Sequence, residues 1–378
     1  MQLPLPSSTQ LGRFVDANFF LLSFSALAPL AACYPAIACS GGLIRPEITV
    51  FYVAIMGVFF LEGLSLPTGP TLSSLSHPAF HLSSLFFNFF LPPALLLPVV
   101  SLPFFLHFPP LIRAGFLALS VTPSTTSMSV MLSSRSGGLP PLAACAALLS
   151  NLLGALLSPL ILQRLTLTSP TFSQKKLAVQ ILGKMVLPLL LGQGARALLS
   201  PPAVARSLPY VGKASQILVL LLLFQILSDV FASASAVSPF LGLRILSLVT
   251  LLHYSILSLS HIASAALFPS SRPTRVSFLF TSSTKTVVLG VPMLRSLYSD
   301  RSPADLAFLL LPLVAYHLLE LVNGLVLAPW LKLWSESGPV LGVVGGGGGG
   351  MPHESTPLML NKQKTVLHDN TTGGHDAL

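Results

Sequence analysis

Charge is scarce in this chain. Its 378 residues include 20 Lys and Arg and 11 Asp and Glu, so only 8% are charged, against about 25% in an average soluble domain. So few ionic groups cannot cover the surface of a water-soluble fold of this length. The shortage excludes an ordinary soluble enzyme, a nucleic-acid-binding domain and a disordered chain. Cysteine is sparse too. Cys33, Cys39 and Cys145 lie in apolar stretches, at spacings that match neither a disulfide framework nor a metal site. They read as small buried hydrophobes. The sequence also lacks a phosphate-binding glycine loop, a nucleophile elbow and metal-ligand His/Cys spacing, the usual marks of covalent catalysis. The expectation is a protein that is not an enzyme and holds no metal or organic cofactor.

What the chain has in plenty is apolar residues, 52% of the total, with a mean hydropathy of +0.80. Its main solvent is therefore lipid. The net charge of +9 forms no basic stripe, because the cations are scattered singly or in pairs between apolar runs. They read as flanks of membrane-spanning segments near anionic headgroups. A spanning helix needs about 20 mostly apolar residues. Ten such segments are expected, at 17–38, 46–66, 81–105, 111–132 and 139–162, then 177–199, 216–236, 240–267, 276–298 and 304–333. Turn chemistry separates them: Gly41 with Gly42, Gly137 with Gly138, Pro201 with Pro202, and Ser270 to Pro273. A loop around Lys175 and Lys176 divides the set five and five. The start of the chain lacks the basic opening and cleavage site of a secretory signal, so the first segment is expected to be retained. After Trp334 the composition becomes polar, with six consecutive glycines at 345–350. The domain reading is a membrane unit over 1–334 and a disordered tail over 335–378. Loop cations divide evenly between the two sides, so the positive-inside rule assigns no orientation.

Two segments differ from plain spanning helices. The fourth contains Val121, Thr122, Pro123, Ser124, Thr125, Thr126, Ser127, Met128 and Ser129 in succession. The ninth contains Thr281, Ser282, Ser283, Thr284, Lys285 and Thr286, followed by Gly290 and Pro292. Proline removes a backbone donor and frees a carbonyl. Interrupted backbone survives at membrane depth only where it faces protein or a watery cavity. Such interruptions at matching positions of two halves point to a transporter site. The competing reading is that these hydroxyls bond to their own helix carbonyls or join neighbouring helices. Two matched clusters favour the site.

Four ionisable residues fall inside expected spans: Glu62, Asp229, Lys285 and Glu320. Each costs about 2.5–3.5 kcal/mol on insertion scales, which makes each a candidate functional group or buried pair. Lys285 lies deepest. A salt bridge to an acid, with Asp229 as one possible partner, and a functional role stand side by side for it. Glu62 lies near a segment end and reads as interfacial. His317 shares a helix face with Glu320. His253 and His261 read as interhelical hydrogen bonders, His77 and His81 as interfacial. The candidate substrate- or ion-binding residues are Thr122, Ser124, Thr125, Thr126, Ser127, Asn151, Ser283, Thr284, Lys285, Thr286, His317 and Glu320.

The residues also carry a family likeness across about 41–330. Early matches are Gly41, Gly42 and Leu43 with Pro46, Glu47, Ile48 and Thr49, then Gly63, Leu64, Ser65 and Leu66. Pro123 with its hydroxyls follows, then Asn151, Leu152, Leu153 and Gly154, and Ser158, Pro159 and Leu160. Pro188 to Gln193 and Asp229 come next. Late matches are Ser283 to Thr286, Leu289 to Leu294, Pro312 with Leu313, and Tyr316 with His317. Their order and spacing together make the likeness specific. The chain resembles the bile acid:sodium symporter superfamily, most closely its sodium/bile acid cotransporter 7-like branch.

That resemblance implies an all-α membrane protein of about ten transmembrane helices. They would form two inverted five-helix repeats, with the fourth and ninth helices broken and crossing near the bilayer centre. It implies symport of an organic anion with sodium. It also implies a plasma-membrane or secretory-pathway location (endoplasmic reticulum or Golgi), or a plastid envelope as in plant members. The sequence departs from the sodium-coupled pattern. The family's bile acid carriers supply an acid and a Gln in the ninth helix, where this chain has Ser282, Ser283, Thr284 and Lys285. Glu320 stands where the branch tends to have Gln, and Glu62 where it tends to have a small polar residue. An ammonium at Lys285 repels a neighbouring cation, and desolvation favours an uncharged amine. Coupling to sodium and coupling to protons both stand. The expected mechanism is alternating access, with the half-helix N-termini and Lys285 facing the anion. The alternative is a non-transporting membrane regulator of ion (calcium) homeostasis. The expected partners are the bilayer and a small organic anion, not nucleic acid.

Overall fold

The computed structural model describes residues 18–100, 102–166, 174–233 and 238–337, with Gly12, Val15 and Asp16. The rest of the N-terminal stretch and the polar tail from Gly338 on, with its six glycines, lie outside the described residues. Among the described residues there is no β-strand.

In chain order the principal helices are α1 (Phe19–Cys33), α2 (Pro46–Ser65), α3 (Pro78–Phe89), α4 (Leu91–Val100), α5 (Pro110–Val121), α6 (Thr126–Arg135) and α7 (Pro140–Thr166). They continue with α8 (Gln174–Leu198), α9 (Pro201–Ala232), α10 (Pro239–Leu267), α11 (Arg272–Ser283), α12 (Val287–Leu297) and α13 (Pro303–Glu336). Each of the ten expected segments coincides with one of these helices or a pair of them. Six stretches are long and apolar enough to cross a bilayer: Pro46–Ser65, Pro78–Val100, Pro140–Thr166, Pro201–Ala232, Pro239–Leu267 and Pro303–Glu336. α1 and α5 are shorter apolar helices. Leu243, Leu251 and Ile262 of α10 are exposed, as lipid-facing side chains must be. The chain is an integral, multi-pass membrane protein.

Proline's abundance has a local explanation. Seven of these principal helices begin on one: Pro46, Pro78, Pro110, Pro140, Pro201, Pro239 and Pro303. At the first helical position the missing N–H has no partner to lose and φ is already set. Pro201, expected in a turn, opens α9 in this way. That helix runs well N-terminal of the expected span at 216, because its first half carries Arg206 and Lys213 and falls below spanning hydropathy. Lys213 pairs there with Asp16 at 2.7 Å. Lys175 and Lys176, expected in a loop, fall in the first turn of α8. Ser238, Ser271 and Ser302 cap α10, α11 and α13, each accepting a bond from the N–H three residues on.

Glycines bring the backbones of α2 and α8 into close approach. A Cβ added to Gly63 would lie 2.2 Å from the Leu189 carbonyl oxygen, and one on Gly192 would lie 2.0 Å from that of Phe60. Only glycine permits this contact. Gln193 then donates to the carbonyls of Gly63 at 2.6 Å and Leu66 at 3.0 Å, and Arg196 donates to that of Leu64 at 2.8 Å. These side chains close the end of α2 by satisfying carbonyls that the helix itself cannot. The packing fixes Glu62, on the same turn, against the interior.

Candidate functional site

The fourth and ninth segments are each two helices around a break. α5 ends at Val121 and α6 begins at Thr126. α11 ends at Ser283 and α12 begins at Val287. In the first break Pro123 has no N–H to give to Leu119, whose carbonyl is taken instead by the Thr122 N–H and hydroxyl. The Ser124 N–H turns to the Ser150 hydroxyl at 3.2 Å. Asn151 Nδ2 donates to the Ser124 carbonyl and the Thr126 hydroxyl, each at 3.0 Å. Ser158 donates to the Val121 carbonyl at 2.7 Å. Gly154 leaves room for the proline ring, since a Cβ there would lie 2.8 Å from Pro123 Cγ. α7 thus supplies what the interrupted backbone lacks. α13 serves the second break likewise, through Tyr316 to the Ser283 carbonyl at 2.7 Å and Glu320 Oε2 from the Lys285 N–H at 2.7 Å.

The two breaks touch. The Thr286 N–H donates to the Pro123 carbonyl at 2.9 Å. The hydroxyls of Ser124, Ser129 and Thr284 form a closed triangle with sides of 2.8–2.9 Å. All three residues are buried, as are Thr122, Ser283 and Thr286. Ser283, like Thr281 and Ser282, sends its hydroxyl to a carbonyl of its own helix. Both readings of the hydroxyl clusters hold: Thr281, Ser282 and Ser283 bond to α11 itself, Ser124 and Ser129 join the halves, and Thr284 does both, also bonding the Phe280 carbonyl at 3.0 Å.

Lys285, 1% exposed, makes no ion pair with an acid among the described residues. Its ammonium donates to three carbonyl oxygens: Asn88 at 2.7 Å, Thr122 at 2.8 Å and Ser120 at 3.3 Å. Each of these oxygens has lost its helical partner. Four residues after Asn88 stands Pro92, which has no N–H. The Ser124 N–H, due to Ser120, has turned to Ser150. Thr122 lies in the break itself. The ammonium sits at the C-terminal ends of α3 and α5, where helix dipoles favour a cation. Asp229, considered as its charge partner, lies elsewhere. Asp229 accepts from the Ser40 N–H at 2.6 Å and hydroxyl at 3.0 Å and from Gln225, and stands 3.7 Å from Arg295.

Both half-helix N-termini are met by carboxyl groups of the chain itself. Glu320 receives the Lys285 N–H just before α12, and His317 Nδ1 lies 2.9 Å from its other oxygen. Glu62 lies against the Ser127 N–H and the Thr126 hydroxyl at the start of α6. Glu62 is only 7% exposed and its Oε2 has no hydrogen-bond partner. This burial departs from the interfacial reading of Glu62.

Beside the crossing lies a mainly apolar cavity of about 260 Å³ between α1, α2, α6, α9 and α13. Its polar lining at the crossing is Glu62, Thr125, Thr126, Ser127 and His317. Arg135, at the far end of α6, is its cationic lining residue. Eight residues separate Ser127 from Arg135, about 12 Å at 1.5 Å per residue. Arg135 has no hydrogen bond or ion pair among the described residues. Of the expected site residues, Thr125, Thr126, Ser127 and His317 line this cavity. Thr122, Ser124, Asn151, Ser283, Thr284, Lys285, Thr286 and Glu320 build the crossing behind it. Glu62, Asn88 and Arg135 were not among those expected. A signal for Asn88 exists in the sequence, since Pro92 four residues on frees its carbonyl. The histidines differ from expectation too. His253 packs edge-on to Tyr316 with its Nδ1 unpartnered, His261 packs on Trp334, and His81 is buried and bonded to the Ser74 carbonyl. Among the described residues no group of three or more His, Cys, Asp or Glu side chains is arranged to hold a metal.

Comparisons with known proteins agree with this architecture. The model of the SBF-like CPA transporter family matches residues 18–332. The chain is 28% identical over 330 residues to the sodium/bile acid cotransporter 7 of Xenopus tropicalis, covering 85% of this chain and 93% of that protein. It is 27% identical over 331 residues to the protein of the same name from Rattus norvegicus, covering 85% and 95%. For the Gallus gallus protein the identity is 25% over 322 residues, covering 85% and 92%. These relatives are carriers rather than enzymes. With five-sixths of its length inside the family's model, and with two interrupted helices meeting in its interior, this chain belongs to the SBF-like CPA transporter family.

Proposed function

We propose that this protein is a secondary transporter that carries a small organic anion across a membrane by alternating access. The observation that carries the reading is the apolar cavity that ends on the crossing of two interrupted helices. Ligand sites are concave, mostly apolar, and oriented by a few polar groups. Here the guanidinium of Arg135 receives the anionic group at one end. The apolar walls take the body of the ligand. The hydroxyls of Thr125, Thr126 and Ser127 and the unpartnered oxygen of Glu62 meet a hydrogen-bond donor at the other. The ligand spans about 12 Å, the rise of α6 between these ends.

The service of one break by α7 and the other by α13 supports a reading as two inverted five-helix repeats, each closing on its own fifth segment. In that reading residues 1–334 are the carrier and 335–378 a tail. Motion of one helix group against the other would open the cavity to each side in turn. Sodium or proton movement drives the cycle, in a plasma-membrane or secretory-pathway compartment. The names of the relatives, sodium/bile acid cotransporters, support an ion-driven organic anion carrier.

The test is flux in proteoliposomes under separately imposed sodium and proton gradients, with a panel of labelled amphipathic carboxylates and sulfates. Saturable uptake by the wild type that falls in Arg135→Gln, with the melting midpoint retained, is expected. No uptake of any anion by folded protein overturns the proposal in favour of a non-transporting regulator.

A further inference from the structure

We propose that the ammonium of Lys285 is the resident cation of the crossing, held where a small monovalent cation would otherwise bind, so that sodium has no place at this point of the cycle. An ammonium has three N–H donors and no acceptor. Three carbonyl oxygens receive them, at 2.7, 2.8 and 3.3 Å. Hard cations are bound by oxygen ligands of this kind, and these three converge from two helix ends and a break. The dipoles of α3 and α5 point their negative ends at the same spot. The chain has thus built a cation site from the carbonyls that Pro92 and the interruption at Pro123 release, and filled it from within.

The hydroxyls and the carboxylate of the crossing are already engaged. The Ser124, Ser129 and Thr284 hydroxyls are closed on one another. Both oxygens of Glu320 are engaged, one by the Lys285 N–H and one by His317. The buried oxygens left open near the crossing are Oε2 of Glu62, on the cavity side, and the amide oxygens of Asn88 and Asn151, which stand apart from one another on α2, α3 and α7. A tethered ammonium does electrostatically what a bound sodium would do, since it neutralises the carbonyl ends and holds α3 and α5 against α12. It cannot leave as a bound sodium would, so no sodium passes through this point of the cycle.

Only the coupling consequence rests on the proposed transport. Occupancy is tested without any substrate, so the two can fail separately. The melting midpoint of the purified, full-length protein is measured in sodium, in methylammonium and in N-methylglucamine, for wild type, Lys285→Ala and Lys285→Met. The wild type should be indifferent to the cation. Lys285→Ala should melt several degrees lower in N-methylglucamine and recover part of the loss in methylammonium or sodium. Lys285→Met, whose side chain fills the space, should melt lower and recover nothing. An Ala variant that responds to neither cation overturns the proposal, and so does one whose response to sodium only equals the wild type's. Should neither variant fold, the wild type decides. A sodium-dependent midpoint that persists in Glu62→Gln overturns the proposal, and a sodium-indifferent midpoint upholds it.

Discussion

The structure of the second break makes one strong demand on Glu320. Its Oε2 accepts the Lys285 N–H at 2.7 Å, and its Oε1 lies 2.9 Å from His317 Nδ1, in a region where Glu320 is 2% exposed. The Lys285 N–H has no alternative partner, because the chain turns there between α11 and α12. Glu320→Ala removes both acceptors. Each buried donor left unsatisfied costs about 1–3 kcal/mol, so the pair costs about 2–6 kcal/mol, with a cavity penalty added. Glu320→Gln keeps one acceptor oxygen, which can turn to the Lys285 N–H, and its amide can donate to the other ring tautomer of His317. Its cost is one weakened bond, about 1 kcal/mol. The assay is thermal unfolding of detergent-solubilised protein, read as the loss of the monodisperse chromatographic peak. Ala should fall far below Gln, and Gln should lie close to wild type. Equal midpoints for the two variants refute the reasoning, because they would mean that the N–H at the break needs no carboxyl partner.

Other outcomes follow from the same geometry. Gly63→Ala drives a methyl to 2.2 Å from the Leu189 carbonyl oxygen, a rigid backbone atom, and should cost about 1–3 kcal/mol or more by overpacking; a midpoint at the wild-type value counts against the α2–α8 contact. Asn151→Asp turns an acceptor toward the carbonyls of Ser124 and Ala147, both 3.0 Å from Nδ2, and should destabilise more than Asn151→Leu, which removes the donor without adding repulsion; urea-shifted thermal melts rank the two. Arg135→Lys should retain part of the anion uptake that Arg135→Gln loses, with a raised half-saturation concentration, because a point charge replaces a planar fork.

The interruptions are legible in the sequence, because proline and dense hydroxyls in an apolar run have few other readings. Pro123 marks the first break, and the Thr281 to Thr286 run marks the second. What the hydroxyls bond to is less legible. Ser282 and Ser283 satisfy only their own helix, while Thr284 bonds both the Phe280 carbonyl behind it and Ser124 across the crossing, and one residue of rotation separates these fates. Lys285 is legible as buried and functional, but an acid is the natural guess for its partner. Carbonyls serve instead, because Pro92 and the break at residues 122–125 free three of them at one point. Glu62 reads as interfacial from its place near the end of α2. The glycine contact with α8, and the capping of that end by Gln193 and Arg196, turn it inward. The long N-terminal part of α9 escapes a hydropathy reading because Arg206 and Lys213 interrupt it, although the helix continues through them.

As the proposed transport path, the cavity at the crossing must open to each side in turn. Ser127 is exposed on the cavity wall where α6 begins, and Ser127→Cys in a background with Cys33, Cys39 and Cys145 replaced by serine gives one reactive position there. The measurement is the rate of modification by a membrane-impermeant thiol reagent added to either face of sealed proteoliposomes, with and without the transported anion. Labelling from both faces is expected, slowed by the anion, with uptake lost once labelling is complete. Complete labelling that leaves uptake intact, or labelling from one face alone under every gradient, would contradict it.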